Sequence, residues 1–172
     1  MRINIIAAIE KSRGIGIHNK LPFHFKKDLK YFSEKTTGDK YFEKNCVIMG
    51  KNTWNSLPYR PLKNRVNIVI TSDQNIPNSF ADIPEAIRFC KIVNFTNIWV
   101  IGGESIYKYF LDNNLATDLY ITKIDGDYEC DRFFPEISDN WKLETNVHDD
   151  ENGVNLIFEK YSNYNESNSG ES

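Results

Sequence analysis

The chain has 172 residues, 40% of them hydrophobic and 26% charged, which suits one soluble domain with a full hydrophobic core. A formal net charge of -3 argues against a general nucleic-acid binder, so an anionic ligand has to be held by local groups. Cys46, Cys90 and Cys130 lie far apart, with no C-x-x-C pair and no histidine at zinc spacing. They read as thiols of a reducing compartment, and no metal site is expected.

The first apolar run, INIIAAI at 3–9, reads as a strand. The opening MRINIIAAIEKSRG is too short in its apolar part to span a membrane and has no secretory cleavage pattern, so a cytoplasmic or other reducing soluble setting is expected. Next comes LPFHFKKDLKYF at 21–32, where a helix begun by Pro22 places Phe25, Tyr31 and Phe32 around Asp28 at helical spacing. Two readings of Asp28 stand open. It is an acid at the rim of the apolar stripe that reaches water or pairs with Lys27 or Lys30 as a surface ion pair, or a desolvated pocket carboxylate awaiting a cationic or amide-like ligand.

Further along, CVIMG at 46–50, VNIVIT at 66–71 and IWVIGG at 98–103 are continuous Ile- and Val-rich runs. Between them lie helical patterns at 25–35, from Thr53, at 83–93 (Ile83, Ala86, Ile87, Cys90) and from Glu104 (Ile106, Tyr109, Phe110). Unbroken rather than alternating hydrophobicity predicts parallel strands covered on both faces, hence a single α/β domain with helices on both faces of the sheet. After residue 115 the order changes: LYITKI at 119–124, WKLETNV at 141–147 and GVNLIFEKY at 153–161 follow with little helix, and DDENG at 149–153 signals a turn. An antiparallel ending is predicted, and 162–172, SNYNESNSGES, is expected to be a disordered tail or linker stub.

Two strands run into glycine and then into a helix, VIMG-KNTW at 47–54 and VIGG-ESIYKYF at 100–110. Glycine permits close backbone approach, and the unpaired amides of a helix start favour phosphate. Lys51 adds charge, and Thr53 and Ser56 add hydroxyls. Parallel strands aim their carboxyl ends at one edge, so both junctions are expected there, where a dinucleotide is long enough to use both.

These pieces resemble dihydrofolate reductase. IAA at 6–8, GIGIHNKLPF at 14–23, DLKYF at 28–32, VIMGKNTWNSLPYRPLKNR at 47–65, VIGGESIY at 100–107 and YITKIDGDYECDRFFP at 120–135 occur in that family's order, from Ile3 to about Tyr161. The resemblance implies an eight-stranded, mostly parallel sheet with a reversed last strand, in a domain covering 1–161. It also implies NADPH-dependent reduction of 7,8-dihydrofolate, with hydride passing from the nicotinamide to C6 of the pterin and a proton to N5. Dihydrofolate and antifolates are the implied ligands, and a monomer is expected.

By that resemblance Asp28 grips the pterin through its 2-amino group and N3–H, supported by Thr122, while water delivers the N5 proton. Ile6, Ala7, Leu29, Phe32, Leu57, Leu62 and Ile101 become the apolar walls, and Arg65 the clamp on the glutamate α-carboxylate. Ala8, Ile15 and Gly16 fall beside the nicotinamide. Gly50, Lys51, Asn52, Thr53, Thr71, Ser72, Ile101, Gly102, Gly103, Glu104, Ser105, Ile106 and Tyr107 lie along the cofactor path. The stretch 14–23 matches a mobile loop that closes over the nicotinamide, with Leu21 and Phe23 among the catalytic positions. Phe23 departs from the family's tryptophan and lacks its indole N–H. Lys51, Asn52 and Ser72 stand where many relatives carry arginines. Two other readings are a related reductase of riboflavin synthesis and a silent nucleotide-binding module. Asp28, Phe32 and Arg65 together favour folate.

His18, His24 and His148 share no ligand spacing. Asp125, Asp127, Glu129 and Asp131 lack the glycine and terminal glutamate of a calcium loop, and Asp131 is expected to touch the 14–23 segment.

Overall fold

The apolar runs become strands of one sheet in the computed structural model, which describes residues 1–164. In chain order the elements are β1 (Arg2–Ile9), β2 (Gly14–Gly16), α1 (Lys26–Thr37), β3 (Asn45–Gly50), α2 (Lys51–Ser56), β4 (Val66–Ile70) and β5 (Ser79–Phe80). They continue as α3 (Ile83–Val93), β6 (Asn97–Gly102), α4 (Glu104–Asp112), β7 (Asp118–Ile124), β8 (Arg132–Phe133), β9 (Trp141–Glu151) and β10 (Val154–Asn163). Eight strands pair in the order β5-β4-β3-β6-β1-β7-β10-β9, and β2 pairs separately with β8. Pairing is parallel from β5 to β7 and antiparallel for β7 with β10 and β10 with β9, so β10 runs against the rest of the sheet.

Continuous hydrophobicity has the expected cause, because alternate residues feed two cores. On one face Ile5, Ile48, Ile68, Ile98, Val100 and Ile121 pack with Ile83, Ala86 and Cys90 of α3 and with Ile106, Tyr107 and Phe110 of α4. On the other, Ile6, Val47, Met49, Val69 and Trp99 receive Tyr31 and Phe32 of α1 and Trp54 of α2. Asp82 caps α3, its carboxylate accepting from the Glu85 amide at 2.9 Å, and Asn94 ends the helix in the left-handed region. No helix among the described residues is long and apolar enough to cross a membrane.

The structure corrects several local expectations. Pro22 does not begin α1; the helix starts at Lys26 with Phe25, extended at φ -120 and ψ 123, as its N-cap. Phe23 and Phe25 are both buried, with the intervening His24 exposed, and both join a ring cluster with Tyr128. That two-residue alternation holds the segment extended. Helix α2 begins at Lys51, directly after Gly50, rather than at Thr53. Asp149 to Glu151 belong to β9, and the hairpin turn is Asn152 and Gly153, at φ 52 and 79. Positive φ at both positions matches the twist of a two-residue hairpin. Strand β10 also carries Ser162 and Asn163, past the boundary expected at 161, while 165–172 of the expected tail lie outside the described residues.

Candidate active site

The two glycine junctions sit side by side. Strands β3 and β6 pair in parallel, with a shift between Ile48 and Met49 that leaves Ile101 as the bulged residue and sets Met49 opposite Gly102. Gly50 is the N-cap of α2 and Gly103 that of α4, and neither helix start has a side-chain cap. A Cβ on Gly50 would lie 3.4 Å from Ile106 Cγ1, and one on Gly102 would lie 3.4 Å from Thr53 Oγ1, so each junction abuts the other's helix. The Gly102–Gly103 peptide is cis.

Gly102 holds φ 126, a conformation closed to side-chain-bearing residues, and its added Cβ would also come within 3.3 Å of the Tyr107 hydroxyl. Alanine there is expected to destabilise the fold by about 1–3 kcal/mol, several degrees in a thermal melt. Tyr107 is itself buried and donates to the Ile6 carbonyl at 2.8 Å, tying α4 to β1; burial drives its hydroxyl pKa far up, and the Asp28 charge adds to this.

Around the junctions, Asn52, Ser72 and Ser105 are exposed, and the Lys51 ammonium lies 3.3 Å from the Asp73 carboxylate. Thr71 Oγ1 accepts from the Asp73 amide at 3.1 Å, and Glu104 accepts from the Phe133 amide at 2.9 Å. Lys51 is thus shared with Asp73 rather than held solely for an anion.

Asp28 lies in the first turn of α1 and is partly buried. Thr122, buried on β7 opposite Ala8 of β1, lies toward its carboxyl. Burial pushes the Asp28 carboxyl above the ordinary aspartate range; Thr122 pulls the other way, and the nearby Glu151 charge reinforces the rise. Burial likewise pushes Tyr31 up to about 12, with Tyr120 and Asp28 contributing. The surface-pair reading of Asp28 is overturned. Lys27 reaches Asp149 Oδ1 and the Asp150 carbonyl, both at 2.7 Å, and Lys30 lies 3.9 Å from Glu34.

Arg65 lies beside the far part of the same helix. Its Nη1 donates to Thr36 Oγ1 at 2.8 Å and its Nε to the Lys63 carbonyl at 2.7 Å. With Ser33, Thr37, Tyr59, Pro61, Leu62, Lys63 and Asn64 it lines a cavity of about 400 Å³. Burial lowers the Arg65 pKa, yet a guanidinium starts so far above neutrality that it stays charged. Between the two ends, Phe32, Leu57, Leu62 and Ile101 join the apolar cluster over Ile6, whereas Leu29 stays outside it, 48% exposed. Ala7 does not join them. One residue out of phase with Ile6, it packs into the opposite core with Ile5 and Ile9, so only its main chain faces this side.

The 14–23 segment is pinned at its base. Strand β2 pairs with β8, the Asp131 amide donates to the Gly16 carbonyl at 2.9 Å, and Asp131 Oδ2 accepts from the His18 amide at 3.2 Å. Ile15 packs against the core, Ala8 packs with the Phe23 cluster, and Leu21 is 49% exposed. Three residues escaped the sequence reading. Glu10, buried, accepts from the Ser12 and Gly14 amides, both at 2.7 Å, at the loop's root. Asn67, also buried, braces the Arg65 loop through Leu62 N, Leu62 O and Arg65 O. Glu151 accepts from the Lys26 and Lys27 amides at 2.9 and 2.8 Å. Only Glu151 had a local signal, and that signal read as a turn.

Two glycine-started helices lie side by side at the carboxyl edge of a parallel sheet, the edge at which open α/β folds bind their ligands, and an acid and an arginine lie along α1. The family model for dihydrofolate reductase matches residues 2–163. The chain is 38% identical to the dihydrofolate reductase of Heliothis virescens over 149 residues, 80% of each chain. It is 35% identical to that of Drosophila melanogaster over 182 residues, 94% of this chain and 100% of that one. With the viral dihydrofolate reductase of Saimiriine herpesvirus 2 it shares 36% identity over 179 residues, 92% of this chain and 84% of the relative. The chain belongs to the dihydrofolate reductase family of oxidoreductases.

Proposed function

We propose that the enzyme reduces 7,8-dihydrofolate to 5,6,7,8-tetrahydrofolate with NADPH, as a monomer in a reducing compartment where its three cysteines stay thiols. One observation carries the substrate assignment: Asp28 and the Thr36–Arg65 contact stand at opposite ends of α1. Eight residues of helix separate them, about 12 Å at the ordinary rise. A ligand with an amidine-like ring edge, an aromatic spacer and a carboxylate matches that order of acid, apolar wall and guanidinium. The related riboflavin reductase has no need of an arginine at the far end, and a silent binding module has no need of a desolvated acid.

The floor suits a dinucleotide. Uncapped amides at the starts of α2 and α4 would take its phosphates, with Thr53 between the junctions and Lys51, Thr71 and Ser72 beside them. When bound, the nicotinamide supplies hydride. Asp28 accepts from the substrate's 2-amino and N3–H groups and orients the ring. Thr122 holds the carboxyl in place. That grip lies across the ring from N5, and Phe23 offers no donor, so water delivers the N5 proton. The segment from Gly14 to Phe23, rooted on Glu10 and Asp131, limits further access of solvent.

Loss of NADPH absorbance with and without dihydrofolate tests the reading. Dihydrofolate-dependent oxidation is expected, slower with NADH. Oxidation driven by an aminopyrimidine precursor of riboflavin and not by dihydrofolate would transfer the assignment to the related reductase.

A further inference from the structure

Helix α1 begins without a cap of its own. Its N-cap is Phe25, whose hydrocarbon side chain has no acceptor for a cap bond and packs in the cluster with Phe23. Helix starts leave amides that a Ser, Thr, Asp or Asn at the N-cap commonly satisfies. Here the acceptor comes from the end of β9, where both Glu151 oxygens take first-turn amides: Oε2 that of Lys26 and Oε1 that of Lys27. The same hairpin holds Lys27 a second time, through Asp149 Oδ1 and the Asp150 carbonyl. Asp28 is the next residue. An acid at this third helical position can bend back toward its own helix start. With the Lys26 and Lys27 amides taken by Glu151, the Asp28 carboxyl lies toward Thr122 instead.

We propose that Glu151 is a positioning residue for Asp28, closing the start of α1 from outside so that the acid faces the substrate pocket. The inference rests on the assignment of Asp28 as the pterin grip. The groups that bear on Asp28 are Thr122 from β7, Glu151 from β9 and Tyr31 on its own helix, while Tyr107 of α4 feels its charge from the opposite core. Lys27 is turned away to the hairpin. Glu151 therefore does two things at once. It offsets the positive end of the helix dipole, which would otherwise favour ionised Asp28, and it places a like charge nearby. Both effects keep the Asp28 proton affinity up.

The test uses the full chain labelled with carboxyl-¹³C aspartate, the Asp28 signal assigned by its loss in Asp28→Asn. Glu151→Gln is expected to lower the Asp28 titration midpoint by about half a pH unit. The acid limb of kcat/KM for dihydrofolate should move the same way, with kcat/KM falling about tenfold at neutral pH. Glu151→Asp, which keeps the charge, should return the midpoint most of the way to wild type. A Gln variant whose Asp28 midpoint matches wild type while its melting temperature drops would reduce Glu151 to a stabilising cap and overturn the proposal. So would an Asp variant that shifts the midpoint as far as Gln. A wild type that fails to oxidise NADPH with dihydrofolate would refute the substrate assignment instead, and the carboxyl titration would still decide whether Glu151 controls Asp28.

Discussion

Asp28→Asn is expected to remain folded, melt at a higher temperature near neutral pH and lose about 10²- to 10³-fold in kcat/KM for dihydrofolate. The activity loss follows from exchanging a carboxylate that accepts two substrate N–H groups for an amide that accepts one and opposes the other with its own donor. Two charge-assisted bonds in a partly buried site account for about 3–4 kcal/mol, which converts to that range. The stability gain follows from the sign of the carboxyl shift. Burial raises the Asp28 pKa above its unfolded value, so across that interval the native state binds more protons than the unfolded chain. Stability therefore falls as pH rises through the native midpoint. Asparagine is neutral throughout and escapes that loss. The two proteins should melt alike below about pH 4, where the carboxyl is protonated in both states, and diverge above it. Turnover of the Asn variant near the wild-type rate at neutral pH would remove the role assigned to Asp28.

Arg65→Leu carries the second large effect. Folate binding should weaken about 10- to 100-fold, the cost of one charge-assisted pair, while pteridines lacking the glutamate bind as before. The discrimination between ligands is the informative part, because Arg65 also holds Thr36 and the Lys63 carbonyl. A general collapse of the 57–65 loop would weaken both ligand classes equally, since Leu57 and Leu62 line the shared apolar wall. Fluorescence titration with folic acid and with a bare pteridine separates the two outcomes. Equal losses would count against the clamp.

The strands with continuous Ile and Val runs were readable because burial on two faces leaves a local trace, as at Asn45–Gly50 and Asn97–Gly102. Helix α3 was readable to the residue, its apolar period bounded by Asp82 and Asn94. Short elements were not: β2, β5 and β8 span two or three residues and carry no period to detect. The beginning of α1 was misplaced because Pro22 is a helix-start signal, whereas the burial of Phe23 and Phe25 in a distant cluster sets the backbone. Family resemblance assigned Ala7 to the apolar walls without its orientation, and strand parity turns its methyl into the other core.

By itself, the order of residues determined an α/β chain, two glycine-started helices and an acid on an aromatic helix face, since each is written in spacing along one segment. Which groups that acid meets was decided only by tertiary structure. Its surroundings come from β7 and the last hairpin, and strand register together with hairpin length sets which of their side chains arrive. Thr122 and Glu151 lie far from Asp28 along the chain, and no local pattern encodes a meeting that depends on how the whole sheet is assembled.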